Sequence, residues 1–174
     1  MKILTTWLRT YLPELSVDDH QLAEDLTLRG IAVEGIHPLG EGNGHLFEMD
    51  ITTNRVDAMN HFGVAREAAA IYGLELKPIH PSLPEAKTGT APFSVRIEAE
   101  DACGRFTARV LRGVTISTGA VTGPLSTKVA RYFSLLEQKR ISNAVDATNF
   151  AWLDRKSTRL NSSHLRTSRM PSSA

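Results

Sequence analysis

The chain has 174 residues, of which 41% are apolar, so it is long enough to bury the core of one domain or of two small ones. Its single cysteine, Cys103, excludes an intramolecular disulfide and favours a reducing, cytoplasmic compartment. The sequence contains no run of 18 apolar residues and no apolar signal core. We therefore expect neither a membrane span nor export.

The net charge of +1 hides an uneven distribution of charges. Residues 155–174 hold five of the 20 basic residues and none of the 19 acidic ones, which leaves 15 basic against 19 acidic residues, a net charge of −4, in residues 1–154. This mildly acidic body argues against a generic polycation that binds nucleic acid through charge alone. The six histidines show no metal-ligand spacing and no nucleotide-binding glycine motif is present, so we predict no catalytic, metal or cofactor site in this chain.

Residues 1–76 predict a small α+β domain that begins with a short strand and two helices. The strand covers residues 2–4, and the helix after it ends at Pro13. Ser16 is expected to cap the second helix, and Gly30 lies where a glycine usually ends one.

A β-hairpin and a third helix complete this predicted domain. Apolar residues alternate over 31–36 and 46–51, and the glycine-rich run 40–44 is suited to the turn between two such strands. Asn60 is placed to cap the third helix and Gly73 to end it. His61, at the start of this helix, is expected to take a surface or capping role rather than to bind an anion.

The polar run between the hairpin and the third helix, TTNRVD over residues 52–57, is the most distinctive chemical feature of the sequence. In one interpretation these side chains hold the elbow together, with Arg55 paired to Asp57 and Asp57 accepting backbone N–H groups. In the other they contact a ligand directly. The candidate residues of this elbow and of the helix behind it are Asn54, Arg55, Asp57, Arg66 and Glu67.

The sequence beyond residue 76 predicts a linker and the start of a second α+β domain. Residues 77–92 hold four of the eight prolines, which indicates an extended linker. Residues 93–153 then contain strand-like and helical patterns but too few elements to close a domain. The predicted elements are strands over 93–97, 105–114 and 144–153, and a helix opened by Pro124 that buries Leu125, Val129, Phe133 and Leu136.

The character of the chain changes at residue 154. Residues 155–174 contain six serines and only scattered apolar residues. The run from residue 154 to 164 resembles a translated sequencing-adapter oligonucleotide, so we expect residues 154–174 to be non-native and without function. The alternative is a disordered basic tail that contacts RNA.

Three motifs, in this order, resemble the beta subunit of bacterial phenylalanine–tRNA ligase. The opening MKILTTWLRTYLPEL resembles the start of that family. The pattern T-x-N-R-x-D followed by G-x-A-R-E-x-A-A, over residues 52–70, resembles its N-terminal domain. GRFTARVLRGV over 104–114 and ISNAVDATNF over 141–150 resemble the entry into its editing domain. The resemblance covers roughly residues 1–153.

The resemblance implies an α+β fold for both parts. Residues 1–76 would be the N-terminal domain, without the OB-fold insertion that many members carry in the hairpin, and residues 93–153 the incomplete start of an α+β editing domain of the B3/B4 type. Asn149 matches the Asn of the T-N-[YF] motif that lines the editing pocket, where its amide would donate to substrate or hold a water. The alternative is that Asn149 bridges strands in the core. Arg105 and Arg109 are expected to be structural rather than catalytic.

The resemblance also implies what the intact enzyme does. In this family, beta and alpha subunits form a cytoplasmic alpha2-beta2 heterotetramer, a class II aminoacyl-tRNA synthetase that uses ATP and Mg²⁺ to charge tRNA(Phe) with phenylalanine. Its editing domain hydrolyses mischarged tyrosyl-tRNA, because an apolar pocket rejects an added hydroxyl only weakly.

This segment is accordingly expected to support subunit assembly and to begin the editing domain. We expect the fragment alone to be inactive, because the other residues of the editing pocket would lie beyond it. For the same reason a freestanding editing hydrolase is not expected. The remaining alternative is a small freestanding interaction or RNA-binding module with a basic tail.

Overall fold

The computed structural model describes residues 1–77, 95–107, 110–118 and 126–156. By its internal contacts the chain divides into two compact units, one made of Met1–Pro78 with Ser117–Ala174 and the other of Ile79–Ile116. Several predictions lie largely or wholly outside the described residues: the proline-rich linker, the role of Arg109, the helix opening at Pro124 and the serine-rich tail. The predicted domain boundaries stay a prediction.

A three-stranded antiparallel sheet forms the centre of the first unit. Its strands are β1 (Lys2–Leu4), β2 (Ala32–Pro38) and β3 (His45–Asp50), and the order across the sheet is β1-β3-β2. In its register Ile3 pairs with Phe47, and a bulge interrupts the pairing of β2 between Val33 and Gly35. Helices pack on this sheet, so the predicted α+β class is confirmed.

The helices of the first unit come from both ends of the described chain. They are α1 (Thr5–Leu8), α2 (Asp19–Leu28), a 3₁₀ helix (Thr53–Ala58), α3 (His61–Tyr72), α4 (Ser126–Leu135) and α5 (Asn143–Arg155). No helix within the described residues has the length and apolar character needed to span a membrane.

Three of the five predicted helix ends are correct and two are wrong. Gly30 follows the C-cap residue of α2, Arg29, with φ of 90°, as predicted, whereas α1 ends at Leu8 and does not reach Pro13. Asn60 caps α3, and Gly73 ends it in a left-handed conformation with φ of 63°, as predicted. The predicted cap of α2 at Ser16 is wrong, because the Asp18 side chain accepts the backbone N–H groups of residues 20 and 21. Because α2 starts at Asp19 and not directly after Ser16, the residue next to the unpaired N–H groups of its first turn is Asp18.

The predicted strand over 144–153 is wrong, because these residues lie within α5. Ser142 caps this helix by accepting the N–H of Val145, and the buried Asp146 carboxylate accepts the N–H of Ile141. The residues that face the protein recur at helical spacing, which a strand could not present on one side. The buried and half-buried positions of α5 are 143, 145, 146, 149, 150, 153 and 154.

The second unit has little regular structure in its described part. Residues 95–107 and 110–116 contain neither a helix nor a strand, so these residues do not adopt the predicted strands. A strand requires a neighbour to satisfy its backbone hydrogen bonds, and none of the described residues of this unit supplies one. Its apolar side chains are correspondingly exposed, among them Val95, Phe106, Val110, Leu111, Val114 and Ile116. The start of an editing domain therefore stays a prediction.

The core of the first unit lies between the sheet and its helices. Trp7 and Phe47 are its largest side chains with almost no exposure, and Phe133 and Leu136 reach it from α4 and the residue after that helix, as the predicted apolar stripe requires. Val129 is partly buried against the same core. Because α4 and α5 contribute to the core, residues 126–156 share one hydrophobic centre with residues 1–77.

Candidate functional site

The elbow between β3 and α3 is held by an ion-pair cluster of the four charged candidates, Arg55, Asp57, Arg66 and Glu67. Arg55 lies 3.1 Å from Asp57 and 2.6 Å from Glu67, and Arg66 lies 2.6 Å from Asp57. The hydrogen bond from Arg55 lowers the pKa of Asp57, and the positive charge of Arg66 adds to this effect. The cluster contains two positive and two negative side chains, so their charges cancel and little charge is left for an ionic ligand.

The elbow is also closed by backbone contacts. The Asn60 side chain accepts the N–H of Gly63 at 2.7 Å and donates to the carbonyl oxygen of Asp57 at 3.0 Å. A Cβ atom on residue 63 would lie 2.0 Å from that carbonyl oxygen, so only glycine fits. Asn54 is exposed in the 3₁₀ helix and lies outside the ion-pair cluster. The elbow therefore contains the pair of Arg55 with Asp57 that the first interpretation requires, and the role of these residues stays a prediction.

His61 is fully buried, so the predicted surface or capping role is wrong. The backbone N–H of Leu4 donates to its Nε2 at 3.0 Å, which leaves the proton on Nδ1, and Nδ1 donates to the carbonyl oxygen of Leu153 at 2.9 Å. Burial lowers the pKa of His61 to about 4, so the ring is neutral at pH 7. His61 lies at helical spacing from the buried Ala65, Ala68 and Ala69, and this pattern in the sequence indicates that His61 is on the buried face of α3.

Trp7 forms the aromatic centre of the contact between α1, α3, α4 and α5. Its ring stacks with those of His61, Tyr132 and Phe150, with centroid distances of 4.1, 4.5 and 4.7 Å. Its indole Nε1–H donates to Asp154 at 2.8 Å. Each stacked pair adds stability beyond simple burial.

Asn149 lies on α5, half-buried and one helical turn before Leu153. Because it is in a helix, the alternative in which it bridges strands is wrong. Its neighbour Phe150 points toward Trp7, so this stretch of α5 is fixed against the N-terminal residues. The structure therefore places Asn149 in the first unit.

Arg105 belongs to the second unit and is exposed. Its carbonyl oxygen accepts the Cys103 thiol with a distance of 3.6 Å. A shallow pocket in the same unit is lined mainly by apolar side chains, including Val95, Ile97 and Phe106. No group of three or more His, Cys, Asp or Glu side chains among the described residues is arranged to hold a metal ion.

A buried carboxylate at the other end of the sheet was not predicted. Burial alone would raise the pKa of Asp19, but hydrogen bonds from Arg9, Thr5 and His45 outweigh burial and lower it. The three contacts are 2.7, 2.7 and 2.8 Å long. Because these partners come from α1, from the residue that follows it and from the start of β3, Asp19 joins α2 to both elements.

Comparison with known proteins gives consistent results. The chain is 40% identical over 121 residues to the phenylalanine–tRNA ligase beta subunit of Anaeromyxobacter dehalogenans, a match that covers 67% of this chain and 14% of that protein. It is 34% identical over 121 residues to the beta subunit of Carboxydothermus hydrogenoformans, covering 70% of this chain and 14% of that protein. It is 30% identical over 157 residues to that of Rhodopirellula baltica, covering 88% of this chain and 21% of that protein.

The chain thus spans between about a seventh and a fifth of the length of these curated relatives. No family model matches the chain.

Proposed function

The chain matches a fragment of the phenylalanine–tRNA ligase beta subunit. We propose that it supports assembly with the alpha subunit of that ligase. We also propose that it begins the domain that hydrolyses mischarged tyrosyl-tRNA. The intact enzyme would be a cytoplasmic class II synthetase, an alpha2-beta2 heterotetramer that charges tRNA(Phe) with phenylalanine. The observation that carries this proposal is the identity of 30–40% to several beta subunits over 62–88% of the chain.

The elbow at residues 52–57 supports a scaffolding role for the N-terminal part. Arg55 and Arg66, the two basic residues of the motif, already pair with Asp57 and Glu67. A phosphate would have to compete with Asp57 and Glu67 for these two arginines, which disfavours a phosphate contact at the elbow. We therefore assign Arg55 and Arg66 to the shape of the elbow, which would present α3 and its surroundings to the alpha subunit.

Asn149 is the residue that we assign to the editing pocket. Phenylalanine and tyrosine differ by one hydroxyl, and a pocket that accepts tyrosine must pair that hydroxyl, since a buried unpaired polar group costs about 1–3 kcal/mol. An asparagine amide can both donate to and accept from a hydroxyl or a water. Asn149 would contribute to this recognition, and the remaining pocket residues would come from elsewhere in the intact subunit.

ATP and Mg²⁺ serve the intact enzyme in this proposal, and we assign no site for either group to the described residues. They provide no cluster of metal-ligating side chains, and the sequence has no phosphate-binding glycine loop. The contribution of this chain is therefore assembly and the start of editing, and we assign it no step of phenylalanine activation.

A chimeric enzyme tests this function. Residues 1–153 of this chain would replace the aligned segment of the Rhodopirellula baltica beta subunit, which would be expressed with the alpha subunit of that organism. We expect a heterotetramer that charges tRNA(Phe) with phenylalanine and clears tyrosyl-tRNA(Phe). A chimeric beta subunit that folds but does not bind the alpha subunit would contradict the assembly role, and one that charges but leaves tyrosyl-tRNA intact would contradict the editing role.

A further inference from the structure

We propose that Asp146 is a positioning residue for the editing reaction: it fastens the first turn of α5 to the loop before it and so fixes where Asn149 lies. This inference rests on the proposed function, because Asn149 is the residue that the proposed function assigns to the editing pocket. Asp146 is only 1% exposed. A buried carboxylate is destabilising unless charged and polar partners surround it, so the partners of Asp146 show what it holds in place.

Both oxygens of the Asp146 carboxylate bind the loop between α4 and α5. Oδ1 accepts the backbone N–H of Ile141 at 3.0 Å, and Oδ2 accepts the Nε–H of Arg140 at 3.2 Å. The Asp146 side chain is 2% exposed and that of Arg140 is 28% exposed. A hydrogen bond to a carboxylate is stronger than one between neutral groups, and low exposure limits competition by water. The loop is thus fastened to the first turn of α5.

The start of α5 is also joined to the segment that precedes α4. The backbone N–H of Asn143 donates to the carbonyl oxygen of Ser117 at 3.1 Å, and the N–H of Ser117 donates to the Asn143 side chain at 3.2 Å. The Ser142 side chain accepts the N–H of Val145 at 3.3 Å and so caps the helix. Between these segments, α4 is anchored in the core by the fully buried Phe133. The first turn of α5 is therefore held by the chain on both sides of α4.

Asn149 lies on the side of α5 that these contacts hold. Because an α-helix turns about 100° and rises about 1.5 Å per residue, Asn149 is about 60° around the helix from Asp146 and about 4.5 Å along it. By the same geometry it lies within about 20° of Ser142 around the helix axis. A rotation of the first turn of α5 therefore changes the direction of the Asn149 amide. A displacement of about 1 Å at a reacting group can cost about 100-fold in rate.

Asp19 is a matched control for Asp146. Both carboxylates are buried, both pair with an arginine, and both lie in the first turn of a helix of the first unit. Asp19 belongs to α2, however, and Asn149 to α5. Loss of either carboxylate removes a buried ion pair, so both changes should lower the stability of the first unit. Only the loss of Asp146 changes how α5 begins.

The chimeric heterotetramer that carries residues 1–153 provides the assay. We expect Asp146→Ala to lower the rate of tyrosyl-tRNA(Phe) hydrolysis about tenfold or more, with phenylalanine charging retained. Asp146→Asn keeps an oxygen that accepts the Ile141 N–H but loses the charge opposite Arg140, so it should lower the rate several-fold. Asp19→Asn should stay within about twofold of the unmodified chimera in both reactions, because it leaves the contacts of α5 intact.

A double-mutant cycle with Asn149→Ala separates positioning from a loss of structure. If Asp146 acts through Asn149, Asp146→Asn should change the rate by less than about twofold once residue 149 is alanine. A merely structural effect would persist undiminished in that background. Amide hydrogen exchange on the 174-residue chain supplies a second readout, in which Asp146→Asn should speed exchange in the first two turns of α5 and leave α2 unchanged.

Several outcomes would overturn the positioning role while the proposed function stands. They are equal effects of Asp146→Asn and Asp19→Asn on hydrolysis, an undiminished effect of Asp146→Asn in the Asn149→Ala background, a parallel loss of phenylalanine charging, and unchanged exchange in α5. An unmodified chimera that charges phenylalanine but does not hydrolyse tyrosyl-tRNA would instead overturn the proposed function, and this inference with it.

Discussion

Replacing Gly63 with alanine should destabilise the chain, although the same change normally stabilises a helix. An alanine Cβ would lie 2.0 Å from the Asp57 carbonyl oxygen and 2.9 Å from the Cα of Ala58, both of which are backbone atoms. The backbone of Asp57 and Ala58 must therefore move away from α3. That movement also disturbs the hydrogen bond from the Gly63 N–H to the Asn60 side chain, which is 2.7 Å long. Overpacking and the weakened cap act in the same direction.

The expected size of this effect follows from three contributions. Overpacking costs about 1–3 kcal/mol, and disturbing the cap costs about 1 kcal/mol. The higher helix propensity of alanine stabilises the folded chain by about 1 kcal/mol and so offsets part of this loss. The net loss in the free energy of unfolding is about 2 kcal/mol, which corresponds to a decrease of about 1 M in the urea midpoint at a typical m-value of about 2 kcal/mol per M.

Urea unfolding followed by circular dichroism would measure this change, with two controls. Ala70→Gly, at an exposed position in α3, calibrates the propensity difference in the same helix and should cost about 1 kcal/mol. Gly104→Ala adds a methyl group where no atom lies within 4 Å and should leave the midpoint unchanged. A Gly63→Ala chain as stable as the unmodified chain, or more stable, would refute the close approach of α3 to the elbow.

Three further predictions concern His61, the ion-pair cluster and the isolated chain. The pKa of His61 is about 4 in the folded chain, against 6.5 for a histidine that is not buried. The unfolded state therefore takes up the proton at higher pH, and the free energy of unfolding should fall as the pH drops from 6.5 toward 4. In urea titrations at about pH 5 and about pH 7, His61→Gln should lose that dependence. Arg66→Ala should change the free energy of unfolding, measured by urea titration, by less than about 1 kcal/mol, because the ion pair of Arg66 is exposed. The isolated chain should release no tyrosine from tyrosyl-tRNA(Phe) above the buffer rate.

The N-terminal elements could be predicted because their signals are local. Asn60 and Gly73 bound α3 through capping chemistry that involves only neighbouring residues. The hairpin strands show an alternating pattern that depends on one buried face. The cap of α2 was misplaced because Ser16 and Asp18 are both good capping residues, and only packing decides which of them starts the helix.

The contacts of α5 could not be predicted in this way. Its sequence contains β-branched and aromatic residues that suit a strand, and the choice of a helix depends on burial against residues about 140 positions earlier in the chain. The role of His61 likewise depends on its distant partners Leu4 and Leu153. The ion pair of Arg55 with Asp57 could be predicted because it spans only two residues, whereas the additional partner Glu67 required the fold of the elbow.

The most direct test of this account is the rate of tyrosyl-tRNA(Phe) hydrolysis by the chimeric heterotetramer with Asn149→Ala, compared with Asn54→Ala as a control at an exposed asparagine. We predict that Asn149→Ala lowers hydrolysis about tenfold or more while phenylalanine charging is retained, and that Asn54→Ala changes neither rate. Unchanged hydrolysis in Asn149→Ala, with an active unmodified chimera, would contradict the assignment of α5 to the editing site.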